Sequence, residues 1–312
     1  VKKISIVIPC YNEQEVLPYF YAELAKLALD MPFAAFEFVF IDDGSEDGTL
    51  AVIKDLQGRD GRVKYISFSR NFGKESAIYA GLKNAKGDYV AIIDADLQDP
   101  PMLIKDMYRI LTNEGCDCVA ARRTNRKGEP LLRSFLARQY YRLINALANI
   151  ELVDGARDFR LMNRQMVDSI LQICEYNRFS KGIFAWVGFK TKWIEYDNRQ
   201  RAAGKTKWSF WKLYVYSLDG IMAFSTTPLA LSSIIGLVFF LCSLLIILAM
   251  AAKYLIWGGS LYGWPFLVCI LLFITGIQLF CTGIVGQYVS RTYMEAKRRP
   301  IYIVKEYSDE CC

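Results

Sequence analysis

Tyr89-Val90-Ala91-Ile92-Ile93 runs straight into Asp94-Ala95-Asp96. A short apolar run bounded by polar residues reads as a buried strand. Two aspartates two residues apart at its end present oxygens at a spacing that holds Mg²⁺ or Mn²⁺ and leaves room for phosphate oxygens. A solvated loop is the alternative. What favours the site is the rest of the leading segment, where β-branched runs alternate with amphipathic stretches, the pattern of a mostly parallel sheet with helices on its faces.

Strands are expected at Ile4–Pro9, Phe36–Asp42, Val63–Ser69, Tyr89–Asp94 and Cys118–Ala121, and helices at about Glu13–Leu29, Asp47–Gln57, Glu75–Ala85 and Met102–Asn113. The first four strands each end in a polar cluster: Cys10-Tyr11-Asn12-Glu13, Asp42-Asp43-Gly44-Ser45, Arg70-Asn71-Phe72-Gly73-Lys74 and Asp94-Ala95-Asp96. Open α/β sheets bind ligands at the carboxyl ends of their strands, so the four clusters predict one shared cleft. In the second cluster Ser45 or Asp47 could simply cap the next helix, or a carboxylate could bond the base or ribose of a nucleotide. In the third, two cations beside a glycine ahead of a helix suit a diphosphate, and a solvated turn fits as well.

The second half differs in kind. No charged residue occurs from Gly220 to Ala252 or from Tyr254 to Ser290, and only Lys253 separates the two stretches. Each exceeds the roughly 20 apolar residues that cross a bilayer. Lys205, Lys207 and Lys212 precede the first span, and Arg291, Lys297, Arg298 and Arg299 follow the second, which places both flanks in the cytoplasm. The division expected is a domain over 1–224, spans at about 226–252 and 264–290, and a cytoplasmic tail over 291–312. Segments 131–150 and 208–224 carry basic and aromatic residues on an apolar stripe and read as helices lying in the headgroup layer. Val1-Lys2-Lys3-Ile4 passes directly into a strand without a signal-peptide core, so the leading domain is expected to stay in the cytosol.

Composition excludes some chemistry. There is no histidine, so carboxylates are the ordinary bases at neutral pH. The net charge of +6 has no basic run interleaved with aromatics, and membrane headgroups and phosphorylated substrates account for it better than nucleic acid. Apart from Cys116/Cys118 and the terminal Cys311-Cys312, the nine cysteines lack metal-ligand or disulfide spacing, and they read as reduced thiols.

Pro9-Cys10-Tyr11-Asn12-Glu13, Asp42-Asp43-Gly44-Ser45, Arg70-Asn71-Phe72-Gly73-Lys74 and Asp94-Ala95-Asp96-Leu97-Gln98-Asp99-Pro100-Pro101 together resemble glycosyltransferase family 2, and within it the polyprenyl-phosphate glycosyltransferases. The resemblance implies an α/β fold of GT-A type with interfacial helices and a C-terminal two-helix transmembrane hairpin. It implies a nucleotide-sugar donor, UDP-glucose ahead of UDP-N-acetylglucosamine and GDP-mannose, and a polyprenyl phosphate acceptor in a bacterial plasma membrane. By the same resemblance Pro9, Tyr11, Glu13 and Asp43 surround base and ribose. Arg70 and Lys74 meet the diphosphate, Asp94 and Asp96 hold Mg²⁺ or Mn²⁺, and Gln98 lines the sugar pocket. Asp158, in Gly155-Ala156-Arg157-Asp158-Phe159-Arg160-Leu161, lies beside the acceptor, as a base, an orienting group or a holder of a second cation. Arg199, Arg201, Lys205 and Lys207, in a segment resembling Arg-x-x-Gly-x-Ser-Lys with Thr206 for the serine, clamp phosphate. The Gln-x-x-Arg-Trp motif of processive synthases is absent, which implies one sugar per acceptor, and a homo-oligomer such as a tetramer is consistent with the resemblance. Other acceptors, such as diacylglycerol or a growing glycan, and a non-catalytic nucleotide-binding scaffold remain the competing expectations.

Overall fold

The computed structural model describes residues 1–123, 155–196, 222–257 and 264–308, with positions 139, 142, 144–146, 152, 153 and 220 between them. Strand β1 (Lys2–Cys10) alternates its apolar side chains between two faces. Ile4, Ile6 and Ile8 enter one hydrophobic cluster and Val7 enters another. Both faces of this strand are therefore covered, as in a parallel sheet with helices above and below. On the first face lie α1 (Leu17–Asp30), α2 (Thr49–Arg59) and α4 (Leu103–Asn113), which contribute Phe20, Leu24, Leu27, Ile53, Ile104 and Met107 to the cluster. On the second face lie α3 (Lys74–Asn84), α5 (Arg164–Gln172) and α6 (Ser180–Trp186), which bring Ile78, Leu82, Met166, Ile170, Ile183 and Phe184. Pro18, in the first turn of α1, starts a helix at no hydrogen-bond cost, and the Asn163 side chain caps α5 by accepting from the Met166 N–H at 2.9 Å.

The other strands are β2 (Ala34–Asp42), β3 (Val63–Phe68), β4 (Tyr89–Ile92), β5 (Cys118–Arg123), β6 (Ala156–Asn163), β7 (Thr191–Tyr196) and β8 (Val304–Tyr307). They form one sheet in the order β7-β5-β6-β4-β1-β2-β3-β8. The block β3-β2-β1-β4 is parallel throughout, β6 runs antiparallel between β4 and β5, and β8 is antiparallel on β3. Register pairs Cys10 with Asp42, so β1 and β2 end at the same level, and Val7 with Ile92, so β4 stops short of them and the chain leaves it beside the last residues of β1. The chain winds from β1 towards β3, then returns to the far side of β1 as β4. The crevice between β1 and β4 is the switch point at which such sheets receive ligands.

Strands β6, β7 and β8 go beyond the five read from sequence. Two long helices, α7 (Thr227–Trp257) and α8 (Trp264–Ala296), follow the domain. They run antiparallel: Phe239 meets Phe273 with ring centroids 5.5 Å apart, Cys281 Sγ lies 3.6 Å from the Ser232 carbonyl, and the Tyr288 hydroxyl donates to the Ser225 carbonyl at 2.6 Å. Among the described residues Phe273–Ala296 is long and apolar enough to cross a membrane. Leucines 237, 241, 245, 248 and 279 on these helices are exposed, as lipid-facing residues would be. The expected interfacial segments 131–150 and 208–224 fall largely outside the described residues.

After α8 the chain returns to the sheet. The Ser69 N–H donates to the Ile303 carbonyl at 3.0 Å, Tyr302 stacks on Phe68 with centroids 4.8 Å apart, and Lys54 pairs with Glu306 at 2.6 Å. The end of the long helix is thus fastened to the strand from which the Arg70–Lys74 loop emerges.

Candidate active site

The loops after β1 and β2 are tied to each other. The Asn12 N–H donates to Ser45 Oγ at 3.0 Å, the Glu46 N–H to Asn12 Oδ1 at 2.9 Å, and the Glu13 N–H to Thr49 Oγ1 at 2.8 Å. Pro9, Tyr11 and Glu13 are half-buried along this edge. Asp42 is consumed internally, accepting from the Ser67 hydroxyl at 2.7 Å and the Ser45 N–H at 3.1 Å.

Asp43 reaches the next loop, where its carboxylate accepts from the backbone N–H groups of Phe72 at 2.7 Å and Gly73 at 2.9 Å. Burial pushes its pKa up to about 6, against the pull of those two donors. Gly44 and Gly73 adopt φ of 65° and 96°, a region that side chains other than glycine disfavour. At Gly44 a Cβ would also stand 2.3 Å from the backbone carbon of Arg70. The β2 loop therefore sets the position of Arg70–Lys74. Arg70 is exposed, with its guanidinium 4.1 Å from the Phe72 ring centre.

Lys74, in the first turn of α3, points across the crevice. Its Nζ lies 2.8 Å from Asp94 beyond β4 and 2.6 Å from Asp158 in β6. Burial alone would lower the lysine pKa, but Asp158 and Asp94 hold it above its ordinary value. Burial would raise Asp158, yet Lys74, Lys181 and Arg160 hold it well below the usual carboxylate range. Asp158 therefore stays ionised at any ordinary pH.

Asp96 is buried and accepts from the Gln98 N–H at 3.1 Å, and Leu97 between them takes φ 58°. A non-glycine residue in that region carries local strain, a frequent mark of sites where geometry is imposed. The Gln98 Oε1 accepts from Arg123 at 2.8 Å and Arg157 at 2.9 Å. Arg157 also lies 3.4 Å from Asp99, a buried carboxylate that accepts from the Tyr196 hydroxyl. Sequence reading missed this second tier. Asp99 and Arg157 both stood inside quoted motifs, flanking Gln98 and Asp158, and that adjacency was the available signal; Tyr196 on β7 gave none.

The structure thus brings Lys74, Asp94 and Asp158 into contact, seats Asp96 and Gln98 on the adjoining turn, and uses Asp43 to hold the loop that carries Arg70. Arg199, Arg201, Lys205 and Lys207 lie outside the described residues. A cavity of about 340 Å³ borders the same 70–76 segment against Tyr176, Asn177, Arg178 and Ile301. Its lining includes none of Asp94, Asp96 and Asp158.

Asp94 and Asp96 fit a divalent cation by donor chemistry, and Asp94 already holds a positive charge, the Lys74 ammonium. Among the described residues no cysteine or further carboxylate joins the two aspartates to complete a cluster of three. Six-coordinate hard cations would need further oxygens from water or a phosphate-bearing ligand.

A doubly wound sheet with paired aspartates at its switch point and a cationic loop opposite them is the architecture of an α/β enzyme that takes its ligand at the carboxyl ends of the strands. The chain belongs to glycosyl transferase family 2, whose profile matches residues 5–171. CsbB of Bacillus subtilis (strain 168), named as a glycosyltransferase, is 45% identical over 303 residues, 97% of this chain and 91% of that protein. A protein of Escherichia coli (strain K12) named as a prophage bactoprenol glucosyl transferase homolog is 41% identical over 303 residues, 97% of this chain and 98% of its own. A solved glucosyl-3-phosphoglycerate synthase from Mycobacterium tuberculosis, in complex with Mn²⁺ and UDP-glucose among its ligands, is 20% identical over 71% of this chain and 78% of that chain, with a TM-score of 0.46.

Proposed function

We propose that the chain transfers a hexose, glucose from UDP-glucose in the first instance, onto polyprenyl phosphate at the cytoplasmic face of a bacterial plasma membrane. The observation that carries the proposal is the meeting of Asp94 and Asp158, from separate strands, on one ammonium group. A donor-side carboxylate and an acceptor-side carboxylate are then close enough to serve one reaction point. The printed name of the E. coli relative, matched end to end, supports both sugar and acceptor.

In this reading Pro9, Tyr11, Glu13 and Asp43 frame base and ribose, and Arg70 and Lys74 meet the diphosphate. A divalent cation on Asp94 and Asp96, Mg²⁺ or Mn²⁺, supplies positive charge to the departing diphosphate. Gln98, its carbonyl oxygen held by two arginines, offers its amide N–H groups to a sugar hydroxyl. Arg199, Arg201, Lys205 and Lys207 hold the acceptor phosphate. That phosphate carries about −1.5 to −2 charges at pH 7 and attacks without a strong base. Asp158, kept ionised by its cations, is too weak a base to be useful; it orients the acceptor side and anchors Lys74. A single in-line displacement inverts the anomeric centre, giving a β-linked product from an α-linked donor.

Helices α7 and α8 serve as the two membrane spans, about 226–252 and 264–290, below a catalytic domain of 1–224. The pairing of β8 with β3 supports a cytoplasmic location for 291–312, since it joins that segment to the catalytic sheet. A homo-oligomer of such chains places several catalytic domains on one patch of membrane.

Incubation of the detergent-purified protein with labelled UDP-glucose, undecaprenyl phosphate and Mn²⁺ should yield a lipid product labile to mild acid. An acid-stable labelled lipid would refute the phosphate acceptor, and an α-linked product would refute the single displacement.

A further inference from the structure

We propose that Lys74 is a placeholder counter-ion, whose ammonium occupies the cation-binding side of Asp94 until a nucleoside diphosphate arrives and then moves to that diphosphate while keeping Asp158. The inference rests on the reading of Asp94 and Asp96 as the cation pair, and concerns how that pair is loaded.

The geometry leaves little choice. Lys74 Nζ is 2.8 Å from the Asp94 carboxylate, and a divalent cation on the same carboxylate would sit 2.0–2.6 Å from its oxygens. Two positive charges on one carboxylate repel, so ammonium and metal compete for Asp94. They do not compete for Asp158, 2.6 Å away on the other side, where Lys181 and Arg160 add to the field. Losing Asp94 therefore leaves Lys74 anchored at one end.

Without donor, Asp94 and Asp96 offer a divalent ion an incomplete oxygen set on which one member is already charge-paired. A diphosphate changes both terms: it brings oxygens to complete the shell and a new anionic partner for Lys74. Cation and nucleotide should then bind with positive coupling, each raising the affinity of the other by the same factor. An empty site would hold metal weakly, because the lysine charge already offsets that of Asp94.

The experiment uses the full chain in detergent and reads free Mn²⁺ by electron paramagnetic resonance, with and without UDP. Wild type and Lys74→Arg should bind Mn²⁺ weakly alone and roughly tenfold or more tightly with UDP, within the usual range of coupling factors. Lys74→Met and Lys74→Gln, which remove the charge, should bind donor-free Mn²⁺ about tenfold more tightly than wild type and keep only the part of the UDP dependence that comes from the added phosphate oxygens. Either variant decides the matter if folded by circular dichroism. Donor-free affinity equal to or weaker than wild type overturns the placeholder role. Asp96→Asn separates the two levels. If it leaves Mn²⁺ binding with UDP unchanged, the cation-pair reading itself falls; if it abolishes that binding while the lysine variants show no gain, only the placeholder falls.

Discussion

The carboxylate of Asp43 stands 2.9 Å from the backbone N–H of Gly73, binding the end of one strand loop to the first residue before helix α3. This contact fixes the loop that delivers Arg70 and Lys74 to the crevice, yet it is made by an acid whose pKa burial raises to about 6.

A pH dependence of stability follows. The Asp43 pKa is raised from 3.8 to about 6 in the folded chain, so between those values the folded state binds more protons than the unfolded one. By linkage, stability must fall as pH rises from about 4 to 6 and stay lower above that window. Two units correspond to ~3 kcal/mol at most, at about 1.4 kcal/mol per unit. Asp43→Asn, whose amide oxygen still accepts, should flatten this decline in urea titrations at pH 4, 5, 6 and 7. An unchanged slope would remove Asp43 as its source.

Gly44→Ala tests the same contact from the other side. The added Cβ meets the Arg70 backbone at 2.3 Å and the position has φ 65°, so the 70–74 loop must shift. A loss of ~1–3 kcal/mol is expected from such a site, together with weakened UDP binding. Gly73→Ala shares the unfavourable φ but meets nothing within 4 Å, so it should cost less. Calorimetric melting and UDP titration of both variants would compare them, and equal damage would contradict steric control by Gly44.

How much of this was legible in the sequence depends on what each residue had to announce. β1 to β5 were readable because strands buried on both faces are continuous apolar runs, and the carboxylates after β4 were conspicuous against that background. β6 was hidden because Ala-Arg-Asp-Phe-Arg-Leu-Met-Asn gives its charged positions to the crevice and to Arg160, which packs 3.7 Å over the Phe184 ring. β8 was hidden because it depends on pairing with β3, far back in the chain, and follows a cationic run. The direct Lys74–Asp158 contact joins residues 84 apart, and no local pattern encodes it.

The strap formed by 302–307 should matter to the site as well as to the fold. Tyr302 lies between Phe68 and Tyr79, at 4.8 and 6.4 Å between ring centres, and so braces both β3 and α3. Tyr302→Ala should lower stability by ~2–4 kcal/mol as a large-to-small change in a packed cluster. It should also increase hydrogen exchange in residues 69–76. Exchange unchanged in that segment, with stability lost elsewhere, would show that the strap does not support the loop.

Asp158 gives the sharpest division between two chemistries. A general base would impose its own pKa on the acid limb of the rate profile, whereas a lipid phosphate that attacks unaided would impose its second ionisation near pH 6. Because Asp158 is held well below the ordinary carboxylate range, its protonation cannot explain an acid limb in that region. Asp158→Asn should therefore reduce kcat by about 10²–10³, through lost placement of Lys74 and the acceptor, while the residual activity still declines below pH 6. Asp96→Asn should abolish turnover with an unchanged melting temperature. A pH–rate profile of Asp158→Asn that no longer declined below pH 6 would instead assign the proton acceptor to Asp158, because only loss of the titrating group removes its limb.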